Sequence, residues 1–258
     1  MAIKAPFRRF ERASSQETKQ AAVFCNMSSS KFDFQQFSVS QERCAMKVGT
    51  DGVLLGAWAE GGKRILDVGT GTGLIVLMMA QRFPDASVVG IDIDPVACLQ
   101  ARENVLASPF GGRVGVACTS LQDYRDQEVF DCIVSNPPFF ENSLKNPDGR
   151  RATARHTDTL SFADLFGGVS RLLSEDGVFS AVIPSEVLER FCSNAYLSGL
   201  YISRQYDVKT TPRKPVKRCL VAFRKRRPSD FERCEVCLQN TDGSRSAWYS
   251  ALTRGFYL

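Results

Sequence analysis

The chain has 258 residues, of which 43% are apolar and 24% charged, and its net charge is +5. This balance is typical of a globular domain with one sizeable core. No segment approaches the run of about eighteen apolar residues that crosses a membrane, and the N-terminus lacks the apolar centre of a secretory signal. We therefore expect a cytoplasmic protein without membrane contact; we favour a monomer, although the sequence does not give the oligomeric state.

The N-terminal thirty residues are polar and rich in Ser and Gln, and they show no periodic apolar face. We expect residues 1–30 to be a disordered extension. Met27 directly precedes the first patterned segment, so we hypothesise that residues 1–26 lie outside the fold and that Met27 is an alternative start. Residues 31–258 are predicted to form a single domain.

Alternating aromatic and polar residues from Phe32 to Val39 predict one half-exposed strand. An apolar helix follows, ends near Ala59, and precedes a regular alternation of strands and helices. The predicted strands are "RILDVG", "SVVGIDID", "GRVGVACTS", "FDCIVSN", "GVFSAVIP", "YISRQYDV" and "KRCLVAFRK". Because helices between strands require crossover connections, we predict an α/β fold with a mostly parallel, seven-stranded sheet, helices on both faces and an antiparallel hairpin at one edge.

The nine cysteines are scattered singly, apart from Cys234 and Cys237. They lack the even, close spacing of a secreted disulfide framework, so we expect reduced thiols. One pair of this kind and a single histidine are too few for a structural zinc site, which needs four ligands. If "RCEVC" is a strand, its two sulfurs also point to opposite faces. We therefore expect no metal.

The first turn from a strand to a helix is rich in glycine. Gly69, Gly71 and Gly73 lie in "LDVGTGTGL", where they permit a tight turn and the close approach of a ligand to a helix N-terminus. Their spacing differs from that of the dinucleotide-binding fingerprint. A turn that only closes the helix against the strand is the alternative interpretation.

Acidic residues follow the next two strands. Asp92 ends "VVGIDID", where a carboxylate can accept hydrogen bonds from both ribose hydroxyls, so it and the glycine turn together predict a nucleoside-containing cofactor. Asp94 is interpreted as the cap of the helix that begins at Pro95. Asp123 either accepts from an adenine amino group, with Tyr124 beside the ring, or is an ordinary acid in a surface turn.

The fourth buried strand ends in "SNPPFF", which contains Asn136, Pro137, Pro138 and Phe139. Parallel strands bring this segment to the same edge of the sheet as the glycine turn. An amine conjugated to a ring is a poor nucleophile, and the Asn136 side-chain oxygen and the Pro137 carbonyl are acceptors that favour its pyramidal form. Phe139 is placed to stack on a planar substrate, and the prolines keep the acceptors free of other partners.

The motifs "DVGTGTG" and "NPPF" resemble those of class I S-adenosylmethionine-dependent methyltransferases, which have a Rossmann-like fold. Further segments, among them "MKVGTDGVLLGAWA", "QARENVLASPF" and "RATARHT", are similar to the bacterial tRNA1(Val) adenine-N6-methyltransferases. The resemblance implies S-adenosyl-L-methionine as cofactor, a cofactor lid over Lys47–Asp51, and Asn136, Pro137, Pro138 and Phe139 as the catalytic set. The cofactor-binding residues that it implies are Lys47, Thr50, Asp67, Gly69, Gly71, Gly73, Asp92 and Asp123.

The family implies methylation of the adenine next to the anticodon of tRNA1(Val). The alternatives within enzymes are N5-methylation of a protein glutamine, whose amide presents a similar planar amine, and N6-methylation of adenine in ribosomal RNA or DNA. Outside enzymes, the alternative is a non-catalytic RNA-binding module. The catalytic motif beside the glycine turn disfavours that last interpretation, since a pure binder needs only one of them.

Basic residues are concentrated in two segments that we predict to hold tRNA phosphates. Nine of the nineteen residues from Lys209 to Arg227 are basic and none is acidic. The predicted RNA-binding residues are Arg150, Arg151, Arg155, Lys209, Arg213, Lys214 and Lys217. For Lys225–Arg227, protection of an edge strand by charge is the competing interpretation.

Overall fold

The computed structural model describes residues 31–43, 47–137 and 160–258. The predicted extension over residues 1–30 lies outside these ranges. Within them, no helix has the length and apolar character that crossing a membrane requires.

Strands and helices alternate along most of the described chain. The strands are β1 (Lys31–Asp33), β2 (Ser38–Ser40), β3 (Arg64–Val68), β4 (Ser87–Asp92), β5 (Val114–Cys118), β6 (Phe130–Ser135), β7 (Leu173–Pro184), β8 (Tyr201–Lys209), β9 (Val216–Arg224) and β10 (Glu232–Cys237). The helices are α1 (Thr50–Trp58), α2 (Leu74–Arg82), α3 (Pro95–Leu106), α4 (Phe162–Leu172), α5 (Leu188–Leu197) and α6 (Ala247–Thr253), with a 3₁₀ turn at Ser185–Val187.

The main sheet has the strand order β10-β8-β9-β7-β6-β3-β4-β5. Of its eight strands, β9 alone runs antiparallel to its neighbours β7 and β8, which confirms a mostly parallel α/β sheet. The prediction of seven strands is wrong, because β10 adds an eighth. It pairs in parallel with β8, so the antiparallel β8–β9 hairpin lies one strand inside the edge.

Apolar side chains pack on both faces of this sheet, as expected for parallel strands covered by helices. Successive residues of β3 alternate between two separate cores, with Ile65 in one and Leu66 in the other. The first core includes residues of α1, α2 and the β1–β2 hairpin, whereas the second includes residues of α4 and α5. The predicted helices on both faces are therefore confirmed.

Residues 31–40 form a hairpin rather than the single strand predicted for Phe32–Val39. β1 pairs antiparallel with β2, and the Phe34 N–H donates to the Phe37 carbonyl across the turn at 2.8 Å. Phe34 and Phe37 stack in the first core with their ring centroids 4.7 Å apart. A turn returns both rings to the same side, which a continuous strand would not do.

The end of the chain closes over this hairpin. The Gln35 N–H donates to the Phe256 carbonyl at 2.9 Å, and the Gln35 side-chain amide donates to the carbonyls of Arg254 and Tyr257 at 2.9 and 2.5 Å. The hairpin is thus tied to residues more than two hundred positions away.

Candidate active site

The glycine turn and the asparagine–proline segment leave the sheet side by side. Val68 at the end of β3 and Ser135 at the end of β6 are register partners, and the buried Ser135 hydroxyl donates to the Val68 carbonyl at 2.9 Å. The next residues along the two strands are Gly69 and Asn136. A crevice therefore begins between β3 and β6, where the strand order reverses, which is the usual ligand site of such sheets.

The backbone of the glycine turn is left-handed at three positions. The φ angles of Gly69, Gly71 and Gly73 are +75°, +55° and +82°, which L side chains adopt at a cost of about 1–2 kcal/mol. A Cβ added at Gly69 or Gly71 would meet no atom within 4 Å, so these two residues face open space. At Gly73 an added Cβ would lie 3.3 Å from the Ala101 Cβ, so this glycine permits close packing against α3.

Asp92 supports the glycine turn through its carboxylate. Its Oδ2 accepts from the Gly71 N–H at 2.8 Å, and its Oδ1 accepts from the Asp94 N–H at 3.0 Å. Because a carboxylate offers about four acceptor sites, capacity remains for ribose hydroxyls. Asp94 accepts from the Val96 N–H at 2.8 Å and caps α3, which confirms its predicted role.

Asp67 is a fully buried carboxylate beneath the turn. Neither of its oxygens has a hydrogen-bond partner among the described residues. Burial raises the pKa of Asp67 to about 7; the nearby Thr70 side chain opposes this shift, and the Asp92 charge adds to it. A buried, unpartnered carboxylate is costly, and a cationic ligand group in the crevice would relieve this.

The predicted lid residues Lys47 and Thr50 are exposed where α1 begins. The Val48 N–H between them donates to the Gln41 Oε1 at 2.6 Å. Asp51 lies one residue further, and its Oδ1 is 2.8 Å from the Arg218 Nε on β9. This ion pair joins the beginning of α1 to the strand that follows the basic 210–215 loop.

Asp123 lies exposed in the turn after β5. Its Oδ2 accepts from the Ser120 hydroxyl at 2.7 Å, and its N–H donates to the same hydroxyl at 3.0 Å. These bonds fit both earlier interpretations, an adenine acceptor and a surface-turn acid. The Tyr124 hydroxyl donates to Asp126 at 2.9 Å, and its half-buried ring packs near Phe130.

Two of the four predicted catalytic residues are described. Asn136 is half-buried and Pro137 is buried. Among the described residues, none hydrogen-bonds the Asn136 side chain. Pro138 and Phe139, together with Arg150, Arg151 and Arg155, lie outside the described residues.

The basic loop between β8 and β9 lies at the same edge of the sheet as the crevice. β8 is parallel to β7 because both pair antiparallel with β9, so residues 210–215 follow a carboxyl end. Arg213, Lys214 and Lys217 are exposed, and no described carboxylate pairs with them. Lys209 differs, because its Nζ lies 2.7 Å from a Glu235 carboxylate oxygen.

No metal site is found in the described ranges, where no group of three or more His, Cys, Asp or Glu side chains could hold an ion. Cys234 and Cys237 both lie on β10 as free thiols.

Comparison with known proteins identifies the family. The model of the methyltransferase small domain matches residues 47–161. The tRNA1(Val) (adenine(37)-N6)-methyltransferase of Bacteroides fragilis is 48% identical over 240 residues, which are 90% of this chain and 99% of that protein. The chain belongs to the tRNA1(Val) (adenine(37)-N6)-methyltransferase family. A protein of the same name from Trichodesmium erythraeum is 48% identical over 241 residues, with the same coverage.

A solved structure supports the fold of this methyltransferase. A predicted O-methyltransferase from Agrobacterium tumefaciens superposes with a TM-score of 0.61 at 19% identity, over 80% of this chain and 96% of that chain. This similarity confirms the Rossmann-like methyltransferase fold.

Several residues that organise this methyltransferase's crevice were not predicted. The Ser135 hydroxyl, the Asp51–Arg218 ion pair and Asn104, which binds the Thr72 carbonyl at 2.8 Å, all act through long-range contacts. Only Ser135 has a signal in the sequence, a hydroxyl inside an apolar segment, and that signal does not name the partner.

Replacing Gly69 with alanine should weaken binding of S-adenosyl-L-methionine, the cofactor that the sequence predicts, by at least about tenfold, because the methyl group enters the crevice. Gly243→Ala is the matched control, since Gly243 has a φ of +86° and an added Cβ there also meets nothing within 4 Å. Both variants should lose about 1–2 kcal/mol of stability. Calorimetric titration measures the cofactor affinity, and thermal unfolding measures the stability. Equal cofactor affinity in the two variants would contradict the prediction that the open space at Gly69 receives the cofactor.

Asp67→Asn should change how stability depends on pH. The Asp67 pKa is raised from 3.8 to about 7, so between these values the unfolded chain releases a proton that the folded protein keeps. The wild type should therefore lose stability relative to Asp67→Asn as pH rises from about 4 to 7, by on the order of 1–4 kcal/mol, with no further change above that range. Urea unfolding across this range provides the measurement, and parallel pH profiles would show that Asp67 titrates normally.

Proposed function

We propose that this methyltransferase transfers a methyl group from S-adenosyl-L-methionine to the exocyclic N6 of an adenine in tRNA, namely the adenine next to the anticodon of tRNA1(Val). The observation that carries the proposal is the pairing of Val68 with Ser135. It sets Asn136 beside Gly69, so a cofactor on the turn and an amine at Asn136 are neighbours. The names of the family relatives support the choice of tRNA.

The residues of the crevice fit this cofactor. S-adenosyl-L-methionine carries an ammonium group, a ribose and an adenine, and it supplies an electrophilic methyl group on a positively charged sulfur. The Asp67 carboxylate beneath the turn has no hydrogen-bond partner in the described part of the chain, and it suits a cationic group. Gly69 and Gly71 leave space against the backbone, and Asp92 retains acceptor sites for the ribose.

The remaining cofactor residues act at the margins of the crevice in this proposal. Lys47 and Thr50 belong to the lid segment before α1, and Gly73 lets α2 begin close against α3. Asp123 accepts from the adenine amino group at the end of β5. Its exposure leaves the carboxylate accessible to a ligand.

Asn136 and Pro137 are proposed to act on the substrate amine. Their side-chain and backbone oxygens accept its two hydrogens and favour the pyramidal geometry in which the nitrogen lone pair is free. The amine releases its proton during or after transfer, so no strong base is needed. This agrees with a chain that has a single histidine. Pro138 and Phe139, outside the described residues, would hold the acceptors rigid and stack on the base.

The RNA is proposed to lie across the carboxyl edge of the sheet. Arg213, Lys214 and Lys217 provide exposed positive charge there, and Arg150, Arg151 and Arg155 follow the catalytic motif in sequence. Lys209 contributes less free charge because Glu235 pairs with it. A tRNA substrate implies that the reaction takes place in the cytoplasm.

The substrate is tested by incubating the protein with labelled S-adenosyl-L-methionine and separate pools of tRNA, ribosomal RNA, DNA and a release factor. We expect label in tRNA alone, as N6-methyladenosine after nucleoside digestion. Label in the release factor would instead support glutamine methylation, and cofactor binding without any transfer would support a non-catalytic binder.

Asn136→Ala should lower kcat on tRNA by about 10²–10³-fold, the size of the loss when one preorganised polar group is removed from a transition state. The affinity for the cofactor should stay within a factor of about two, because Asn136 acts on the amine. Single-turnover transfer and calorimetry separate the two quantities. Wild-type transfer rates in this variant would refute the role of Asn136.

Reversing charge with Arg213→Glu, Lys214→Glu and Lys217→Glu together should weaken tRNA binding and reduce the slope of log K against log salt by about 2–3, since each phosphate contact contributes about one unit. The control reverses Lys225, Arg226 and Arg227 at the opposite edge of the sheet, where Lys225 and Arg226 pair with Glu175 and Asp176. We expect the control to bind tRNA nearly as the wild type does. Equal losses in the two triple variants would mean that net charge alone attracts the RNA.

A further inference from the structure

Asn104 on α3 is a buried side chain with three hydrogen bonds to two distant segments. Only 3% of the residue is exposed. Its Nδ2 donates to the Ser40 carbonyl at 2.9 Å and to the Thr72 carbonyl at 2.8 Å. Its Oδ1 accepts from the Ser40 N–H at 2.9 Å. Both donors and the acceptor of the amide are thus satisfied.

These bonds join the two parts of the chain that border the cofactor crevice. Thr72 belongs to the glycine turn. Ser40 is the last residue of β2, and the chain continues from it to Gln41, whose side chain accepts from the Val48 N–H in the proposed lid. The exposed Arg43–Glu103 ion pair, at 2.8 Å, adds a second contact between this segment and α3.

We propose that Asn104 is a positioning residue for cofactor binding, which holds the glycine turn and the base of the 47–51 lid at a fixed separation. The identity of the ligand rests on the proposed function. Asn104 lies behind the turn and acts through the backbone of Thr72 and Ser40. Without it, the buried Thr72 carbonyl and the partly buried Ser40 carbonyl and N–H lose their partner, and each such group is unfavourable until the segments move apart and admit water.

The shape and chemistry of asparagine are both required at this position. Aspartate has nearly the same shape, but its carboxylate accepts only and faces the Ser40 and Thr72 carbonyls. Alanine removes all three bonds and leaves a cavity. Comparing Asn104→Asp with Asn104→Ala therefore separates the loss of the two N–H donors from the loss of side-chain packing.

The experiment titrates S-adenosyl-L-methionine into the wild type, Asn104→Ala and Asn104→Asp by calorimetry. Asn194→Ala on α5 is the matched control, because the Asn194 amide makes a local bond to the Arg190 carbonyl and lies outside the crevice. We expect both Asn104 variants to bind the cofactor at least about tenfold more weakly, the equivalent of one to two lost hydrogen bonds. The control should bind like the wild type.

A second readout uses the protein without cofactor or tRNA. Amide hydrogen exchange should accelerate at residues 38–43 and 70–73 in the Asn104 variants, while the central strands stay protected. With tRNA, KM for the cofactor should rise more than kcat falls at saturation. A merely structural role would lower protection throughout the sheet and leave the cofactor affinity of the folded fraction unchanged.

The outcomes distinguish this inference from the proposed function. If the wild type does not bind S-adenosyl-L-methionine, the proposed function fails. If the wild type binds and Asn104→Asp, folded by circular dichroism, binds equally well, the positioning role is overturned. Should Asn104→Ala not fold, the aspartate variant decides the result, and unfolding of both variants would assign Asn104 to stability alone and reject positioning.

Discussion

The parallel pairing of β3 with β6 is the constraint on which the site depends. A shift of one residue in a strand turns every side chain to the opposite face. The register therefore decides which side chains are buried in each core as well as which residues meet at the end of the strands. In the observed register Val68 pairs with Ser135, and the Ser135 hydroxyl donates to the Val68 carbonyl at the end of the two strands. Both segments leave the sheet directly after this pair. The apolar cores on the two faces stabilise this register, because a strand that slipped by one residue would exchange the side chains that face the two cores.

The two acidic residues near the turn differ in their hydrogen-bond partners and in burial. Asp92 accepts backbone N–H groups and stabilises the conformation of the glycine turn. Asp67 is fully buried, no hydrogen-bond partner of its oxygens is found among the described residues, and burial raises its pKa. Perturbed carboxylates of this kind are concentrated at functional sites, because a ligand can supply the interaction that the fold omits.

Much of the architecture could be predicted because apolar runs and helix caps are local signals. The buried strands, the glycine turn and the Asp94 cap were all visible in the sequence. The hairpin at residues 31–40 was missed although its signal exists: apolar residues change from even to odd positions between Phe34 and Phe37, which indicates a turn. The strand β10 was recognisable from its alternation, but its place beside β8 depends on tertiary pairing.

The side chains that hold the site together could not be predicted in the same way. Asn104 lies in a helix whose sequence is compatible with a polar residue on either face. Its partners are 32 and 64 residues away, and no local pattern encodes that distance. The Arg218–Asp51 ion pair also joins residues that are far apart in the sequence, so no local pattern predicts it. By contrast, a role for "SNPPFF" could be proposed from the sequence alone, because unusual residues at a strand end restrict the backbone by themselves; that role stays a prediction.

The contact of Gln35 with the Arg254, Phe256 and Tyr257 backbone has a consequence for biosynthesis. Chains emerge from the ribosome N-terminus first. The hairpin therefore cannot form these hydrogen bonds until residues 254–257 have emerged. The central strands can assemble earlier, whereas the hairpin gains these hydrogen bonds only after residues 254–257 have been synthesised. A nascent chain that lacks residues 254–257 would therefore have the central sheet without the hydrogen bonds that hold the hairpin at residues 31–40.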